Sequence, residues 1–154
     1  MIDVGQFRSL VIRPALMTIQ LHSESAENLL LGTALVESGL RYLRQLGGGP
    51  ARGIYQMEPA THDDHWQIFL IRTPELRSRL ESLMFSGLEP LDQLACNLAY
   101  ATAMTRVHYL RVQHPLPLAS DLPGLAAYWK RWYNTPAGKG TEARFIEVYE
   151  EHVT

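Results

Sequence analysis

The sequence has few of the features that mark secreted, membrane-bound or nucleic-acid-binding proteins. Its single cysteine, Cys96, excludes an intramolecular disulfide and lies in an apolar stretch, as a small core residue would. No early segment combines a basic start, an apolar centre and a small-residue cleavage site, and no apolar run is long enough to span a bilayer. We therefore expect synthesis in the cytoplasm without a signal peptide, and no membrane partner. The formal net charge of −2 argues against nucleic acid as a partner.

The composition is that of one globular domain. The chain has 154 residues, of which 46% are hydrophobic and 19% charged, so it is long enough to bury a core. Apolar residues recur at helical spacing through most of the chain, and only residues 55–57 alternate briefly as a strand would. We predict one mainly α domain over residues 1–154, with six to eight helices and a small β-hairpin. We expect one long helix over residues 91–112, and we expect Thr61, Asp121 and Thr141 to cap the starts of three other helices.

Glu37, at the end of an apolar helix, is the strongest candidate for a catalytic group. We expect Ser23 or Ser25 to cap the start of this helix and Gly39 to end it. Glu37 shares one helical stripe with Ala26, Leu29, Leu30, Thr33 and Ala34. Burial and the negative end of the helix dipole would both raise its pKa, as a general acid near neutral pH requires. The alternative is a glutamate that faces solvent or pairs with a nearby arginine.

A basic, glycine-rich loop follows this helix. Residues 41–52 contain three arginines and three consecutive glycines, and a short extended piece comes next. Glycines let the backbone approach a ligand closely, so the loop is a candidate substrate contact. The alternative is a flexible loop that only meets water.

Two segments together resemble the soluble lytic transglycosylases and the goose-type lysozymes. They are ESG at residues 37–39 and GIYQMEPAT at residues 53–61. The family pattern is a catalytic Glu-Ser at a helix end, followed by Gly-Leu-Met-Gln-hydrophobic-x-Pro-x-Thr. Residues 97–111 resemble the family's Asn-containing helix, and residues 125–135 resemble its Ala-Ala-Tyr-Asn motif in stretched form. The sequence departs from the family at Gly47, where a serine is usual, and at Pro50, where a glycine is usual.

The resemblance implies a lysozyme-like α+β fold, with the helices arranged around the Glu37 helix and a small hairpin beside the cleft. It also implies a peptidoglycan-cleaving glycosidase, of lytic transglycosylase or muramidase type, that acts on glycan strands without a cofactor or a metal. Glu37 would be the general acid and base. Six residues are expected to bind substrate. Of these, Gln56 and Tyr133 would contact substrate or orient Glu37, Ser38 and Tyr55 would line the site, Asn97 would line the cleft, and Glu58 completes the set.

Three alternatives remain open. The same fold could serve as a catalytically inactive phage structural or glycan-binding protein, associated with the virion instead of being released to the cell wall. The aromatic and basic segment at residues 128–133 could be a sugar platform, or it could dock a protein partner in a helical interaction module. His62 and His65 share a helix face and could hold a metal, but no cysteine and no known zinc spacing accompany them.

Overall fold

The computed structural model describes residues 1–153, and the architecture is mainly helical, as predicted. Within these residues eight helices form: α1 (residues 4–18), α2 (Glu24–Ser38), α3 (residues 59–72), α4 (Pro74–Glu81), α5 (Pro90–Cys96), α6 (Leu98–Leu110), α7 (residues 122–134) and α8 (Glu142–Val153). Three of them contain a wide π-helical turn, at Phe7–Ile12 in α1, His65–Phe69 in α3 and Lys130–Asn134 in α7.

Helix α2 begins after Ser23 and ends before Gly39, and each of these residues stabilises its end of the helix. The Ser23 side chain accepts a hydrogen bond from the backbone N–H of Ala26, which confirms Ser23 as the N-cap. Gly39 ends the helix in the left-handed conformation, with φ of 60°, as predicted. Ten of the fifteen residues between these caps are buried, and α2 contacts α1, α6, α7 and α8. The helix therefore meets other helices on most of its faces.

Glycine at position 32 lets α8 pack directly on α2. A Cβ atom at Gly32 would overlap the ring of Phe145, so only glycine leaves room for that ring. Phe145 is fully buried and lies against Trp129 of α7, with ring centroids 5.5 Å apart. This contact brings α7 and α8 to the end of α2 that carries Glu37.

The segment between α2 and α3 does not form the predicted hairpin. In the described chain its only ladder contacts are two isolated antiparallel bridges, Arg44 with Arg52 and Arg52 with Met57. A tight turn, in which the N–H of Gln56 bonds to the carbonyl of Gly53 at 3.0 Å, prevents a second strand from extending. Gly53 has φ of 79°, and a Cβ there would overlap the carbonyl oxygen of Leu94, so this turn lies against α5.

Two predicted helix boundaries are wrong. Residues 91–112 were expected to form one helix, but the chain breaks at Asn97, whose side chain caps α6 by accepting from the N–H of Tyr100 at 3.0 Å. Thr61 was expected to cap α3, but the helix already starts at Pro59, with Glu58 as the N-cap residue. Proline at the first helical position is a start signal in its own right.

The expected caps of α7 and α8 are present. The Asp121 carboxylate accepts from the N–H of Gly124 at 2.9 Å, and the Thr141 hydroxyl accepts from the N–H of Arg144 at 3.2 Å. Across residues 1–153, no helix combines the length and the apolar character needed to cross a bilayer.

Candidate active site

Glu37 lies in the last turn of α2, where burial changes its acidity. Its side chain is half-buried, and Oε1 accepts a hydrogen bond from the indole Nε1 of Trp129 at 3.0 Å. Loss of water around the carboxyl raises the pKa of Glu37 from 4.5 to about 7, and the bond from Trp129 opposes that rise. The carboxyl therefore exchanges its proton near neutral pH, as a group that must both give and take a proton should.

A cavity of about 580 Å³ opens at Glu37, and its wall is mainly polar. The wall combines the end of α2, the glycine-rich loop, the turn before α3 and one side chain from α8. The residues that line it are Leu35, Val36, Glu37, Ser38, Gly39, Arg41, Tyr42, Gln45, Leu46, Ala51, Gln56, Glu58 and Arg144. The polar side chains of this wall can donate and accept hydrogen bonds, so the cavity suits a polar ligand.

The glycine-rich loop has a defined conformation where it borders this cavity. The Gln45 side chain accepts a hydrogen bond from the N–H of Ala51 at 3.1 Å and folds over Gly49, where a Cβ would overlap it. Gly47 and Gly48 both have φ of 81°, a conformation that favours glycine. The three glycines do not line the cavity themselves; Arg41, Tyr42, Gln45 and Leu46 line it from the same loop.

Gln56 and Glu58 line the cavity from the turn opposite α2. Gln56 has φ of 52°, an uncommon conformation for a residue with a side chain, and its Nε2 donates to the carbonyl of Gly53 at 2.9 Å. Strained residues of this kind concentrate at functional sites. The Glu58 side chain is exposed and belongs to the same wall.

Ser38 and Tyr133 hold the extended piece in place. The Ser38 hydroxyl donates to the carbonyl of Ile54 at 2.6 Å, and the Tyr133 hydroxyl donates to the carbonyl of Tyr55 at 2.7 Å. Ser38 is buried, so its contribution to the cavity wall is small. Both hydroxyls therefore bond to the backbone of the extended piece beside Glu37.

Three of the expected substrate-binding residues do not line this cavity, namely Tyr133, Tyr55 and Asn97. The Tyr55 ring is buried in the core, with its hydroxyl 2.9 Å from Thr102, and only its backbone carbonyl meets Tyr133. Asn97 is buried at the start of α6, and its Nδ2 donates to the carbonyl of Leu83 at 2.7 Å. Hydrogen bonds inside the protein occupy the side chains of Tyr55 and Asn97, so the structure assigns them to the framework.

The structure also brings in residues that the sequence did not single out. Trp129 lies in the segment read as a sugar platform or docking surface, but it is 1% exposed and contacts Glu37 instead of offering a free ring face. Arg144 reaches the cavity from α8. An exposed arginine in an amphipathic helix carries no local sign of such a role, so no sequence pattern could have found it.

A second and larger cavity, of about 790 Å³, lies between α3, α6 and α7. His65 and His108 line it, and their rings form a hydrogen bond of 3.0 Å. His62 is separate from this pair, since its Nε2 lies 2.7 Å from the hydroxyl of Tyr100. The two histidines of the metal alternative therefore point to different partners, and the described residues contain no group of three or more potential ligands that could hold a metal ion.

Comparison of the chain with known proteins gave no match to a family model, to a curated protein or to a solved structure.

Proposed function

We propose that the protein is a peptidoglycan-cleaving glycosidase with a lysozyme-like arrangement of helices around α2, and that Glu37 is its general acid and base. The observation that carries the proposal is a carboxyl with a pKa of about 7 at a polar cavity of about 580 Å³. At neutral pH such a group is partly protonated and can give its proton to a glycosidic oxygen.

The hydrogen bond from Trp129 gives the two carboxyl oxygens of Glu37 different roles. An indole N–H can only donate, so Oε1 acts as its acceptor and the proton is left to Oε2. In the first step Oε2 gives this proton to the glycosidic oxygen as the bond to the sugar carbon breaks. The new carboxylate then removes the proton of the muramic 6-hydroxyl, whose oxygen bonds to the same carbon and forms a 1,6-anhydro sugar. Glu37 ends the cycle protonated.

A one-carboxylate mechanism fits this cavity better than a two-carboxylate mechanism. Hydrolysis by a carboxylate pair needs a second acid on the other side of the scissile bond. Among residues 1–153, Glu58 is the only other carboxylate that lines the cavity, and its side chain is exposed to solvent. We therefore assign Glu58 to hydrogen bonding with sugar hydroxyls, together with Gln56.

The decisive test is the chemistry of the products released from purified peptidoglycan sacculi. We expect mass spectrometry to detect anhydro-muropeptides with the wild-type protein and none with Glu37→Gln. Glu58→Gln is the matched control, because it removes a carboxylate from the same cavity, and we expect it to keep cleaving. Equal cleavage by Glu37→Gln and wild type would overturn the assignment of Glu37.

Other results would indicate a different mechanism or a different function. Reducing-end sugars that disappear in Glu58→Gln would indicate hydrolysis by two carboxylates. If no protein releases products but the wild type binds muropeptides, the chain is a glycan-binding or virion-structural protein with the same cavity.

A further inference from the structure

The wall of the Glu37 cavity contains two arginines that come from distant parts of the chain. Arg41 belongs to the loop after α2, and Arg144 lies in the first turn of α8. Both side chains are exposed, and among residues 1–153 they are the only cationic side chains that line this cavity. A ligand at Glu37 therefore meets positive charge from two separate elements of the fold.

The carboxyls of the cavity do not neutralise these arginines. Within residues 1–153, no ion pair joins Arg41 or Arg144 to Glu37 or Glu58. The raised pKa of Glu37 has two causes, which are burial and the opposing bond from Trp129, so neither guanidinium lies close enough to lower it. The two cations thus share the cavity with the acid without being its partners.

Most of the hydrogen-bond donors of the two guanidiniums are free to bind a ligand. Arg144 Nη1 donates to Glu147 at 2.6 Å, in a pair whose side chains are 57% and 64% exposed, and such a pair contributes little to stability. Nε and Nη2 of Arg144, and the whole guanidinium of Arg41, have no partner in the part of the chain that the structure describes. These planar donors match the geometry of a carboxylate.

The charge of the cavity is opposite in sign to that of the whole protein. The chain has a formal net charge of −2. In the cavity, two arginines stand against Glu58 and against Glu37, which is partly protonated near pH 7. A cleft of one sign of charge attracts ligands of the other sign, so an anionic group is favoured at this site.

We propose that Arg41 and Arg144 bind the lactyl carboxylate of muramic acid, so that the protein prefers glycan strands from which the peptide has been removed. In muramic acid this carboxyl is either free and charged, or joined to the peptide as a neutral amide. Only the free form can pair with a guanidinium as an ion. The inference rests on the proposed function, and it adds the preferred substrate class of the same cavity.

Binding to Glu37→Gln protein tests the inference without turnover. The two probes are disaccharides of N-acetylglucosamine and N-acetylmuramic acid, one with the free lactyl carboxyl and one with a carboxamide in its place. We expect substitution of both Arg41→Gln and Arg144→Gln to weaken binding of the acid about tenfold and to leave the carboxamide unchanged. Added salt should weaken only the acid. A preference of this size still leaves peptide-bearing strands as substrates.

A variant with both Arg77→Gln and Arg79→Gln is the matched control. It removes the same two charges from the exposed face of α4, where these arginines pair with Glu81 and Glu75. We expect it to leave the affinity for both probes unchanged. If the control weakens the acid as much as the cavity variant does, the effect belongs to the net charge of the protein, and the proposed site is overturned.

The outcomes separate this inference from the proposed function. Equal affinity of Glu37→Gln protein for the acid and the carboxamide would overturn the inference and leave the proposed function intact. Binding of neither probe would overturn both. Cleavage of sacculi by Glu37→Gln at the wild-type rate would overturn the catalytic role of Glu37 while leaving the preference for the acid in place.

A third probe, with the peptide attached to the lactyl carboxyl, identifies which carboxylate the arginines bind. Its lactyl group is a neutral amide, but its peptide has carboxylates of its own. We expect this probe to bind no more tightly than the carboxamide and to be insensitive to the double substitution of Arg41 and Arg144. A loss as large as that of the acid would mean that the arginines pair with the peptide, and would overturn the assignment to the lactyl group.

Discussion

Trp129 donates its indole N–H to Oε1 of Glu37 across 3.0 Å, although the two residues are 92 positions apart in the chain. The contact joins α7 to the end of α2 and stabilises the ionised form of a carboxyl whose burial favours the neutral form. The acidity of Glu37 is therefore a balance between burial and one hydrogen bond.

Trp129→Phe should shift that balance. Phenylalanine keeps most of the ring that packs on Phe145 and removes only the donor, so we expect the pKa of Glu37 to rise above its value of about 7. A carbon-detected titration of the Glu37 carboxyl measures this directly. Trp132→Phe is the control, because Trp132 lies at the other cavity and should leave the titration unchanged. A fall in the pKa of Glu37 would contradict the balance described above.

Glu37→Gln should make the protein more stable at alkaline pH. The folded-state pKa of about 7 lies above the ordinary 4.5, so the contribution of Glu37 to stability is complete below pH 4.5 and is lost as the pH rises through 7. At about pH 8 the wild type therefore holds a half-buried carboxylate at a cost of up to about 3 kcal/mol.

Urea unfolding of the wild type and Glu37→Gln at about pH 8 and about pH 4.5 measures this effect. We expect the gain in unfolding free energy to be clear at the higher pH and small at the lower. The exposed Glu58→Gln should change little at either pH. An equal gain at both would mean that the substitution acts through packing and not through ionisation.

His65 should make the protein sensitive to acid. Because burial lowers its pKa to about 3 from 6.5, its contribution to stability is complete above pH 6.5 and is lost as the pH falls toward 3. Glu37 titrates in the opposite sense between pH 4.5 and 7, so the measurement belongs in a Glu37→Gln background.

In that background we expect the unfolding free energy to fall from about pH 6.5 to about pH 5, and we expect a shallower fall when His65→Gln is added. This window excludes Glu27, whose pKa lies near 2 in the folded protein and at 4.5 ordinarily. The same slope with and without His65 would contradict a neutral, buried imidazole at this position.

Glu27→Gln should be strongly destabilising. Glu27 is 3% exposed at the start of α2 and bonds to Arg13 at 2.6 Å, His22 at 2.8 Å and Arg8 at 3.2 Å. Burial alone would raise the pKa of Glu27, but hydrogen bonds from these three partners outweigh it and lower the pKa to about 2.

Loss of this buried acceptor should cost about 1–3 kcal/mol, since Arg8, Arg13 and His22 are partly exposed and water can reach their charged groups. Urea unfolding at neutral pH tests it. Glu24→Gln is the matched control in the same helical turn, and its exposed side chain should make the cost small. Similar losses for both variants would assign the effect to the helix dipole instead of the buried cluster.

Gly32→Ala should destabilise the junction of α2 and α8. The added Cβ would overlap the buried ring of Phe145, and overpacking of a well-packed core costs about 1–3 kcal/mol. Gly5→Ala in α1 is the control, since a Cβ there meets nothing closer than 3.4 Å and alanine favours helix. We expect thermal unfolding to separate the two variants in opposite directions.

The sequence predicted the features that depend on neighbouring residues. Ser23, Asp121 and Thr141 cap their helices, and Gly39 ends α2, because each acts on backbone groups within a few positions. The helix break at Asn97 was missed because the apolar spacing continues through it.

The site depends on contacts between distant parts of the chain. Glu37 and the wall at Gln56 and Glu58 follow from short motifs, but the contact from Trp129 and the approach of Arg144 come from the packing of α7 and α8 on α2. Tyr55 and Asn97 were misplaced for the same reason, since helical spacing does not reveal which polar side chain finds its partner inside the core.

The packing of Phe145 on Gly32 means that the surroundings of Glu37 are completed late in synthesis of the polypeptide. Residues 1–58 carry Glu37 and most of its cavity, but the indole that donates to Glu37 and the ring that covers Gly32 are synthesised much later. A nascent chain that ends before α7 leaves Glu37 in water, where a carboxyl behaves as an ordinary acid. Glu37 is therefore synthesised well before the helices that pack around it, and a fragment that ends before α7 carries this carboxyl with ordinary acidity.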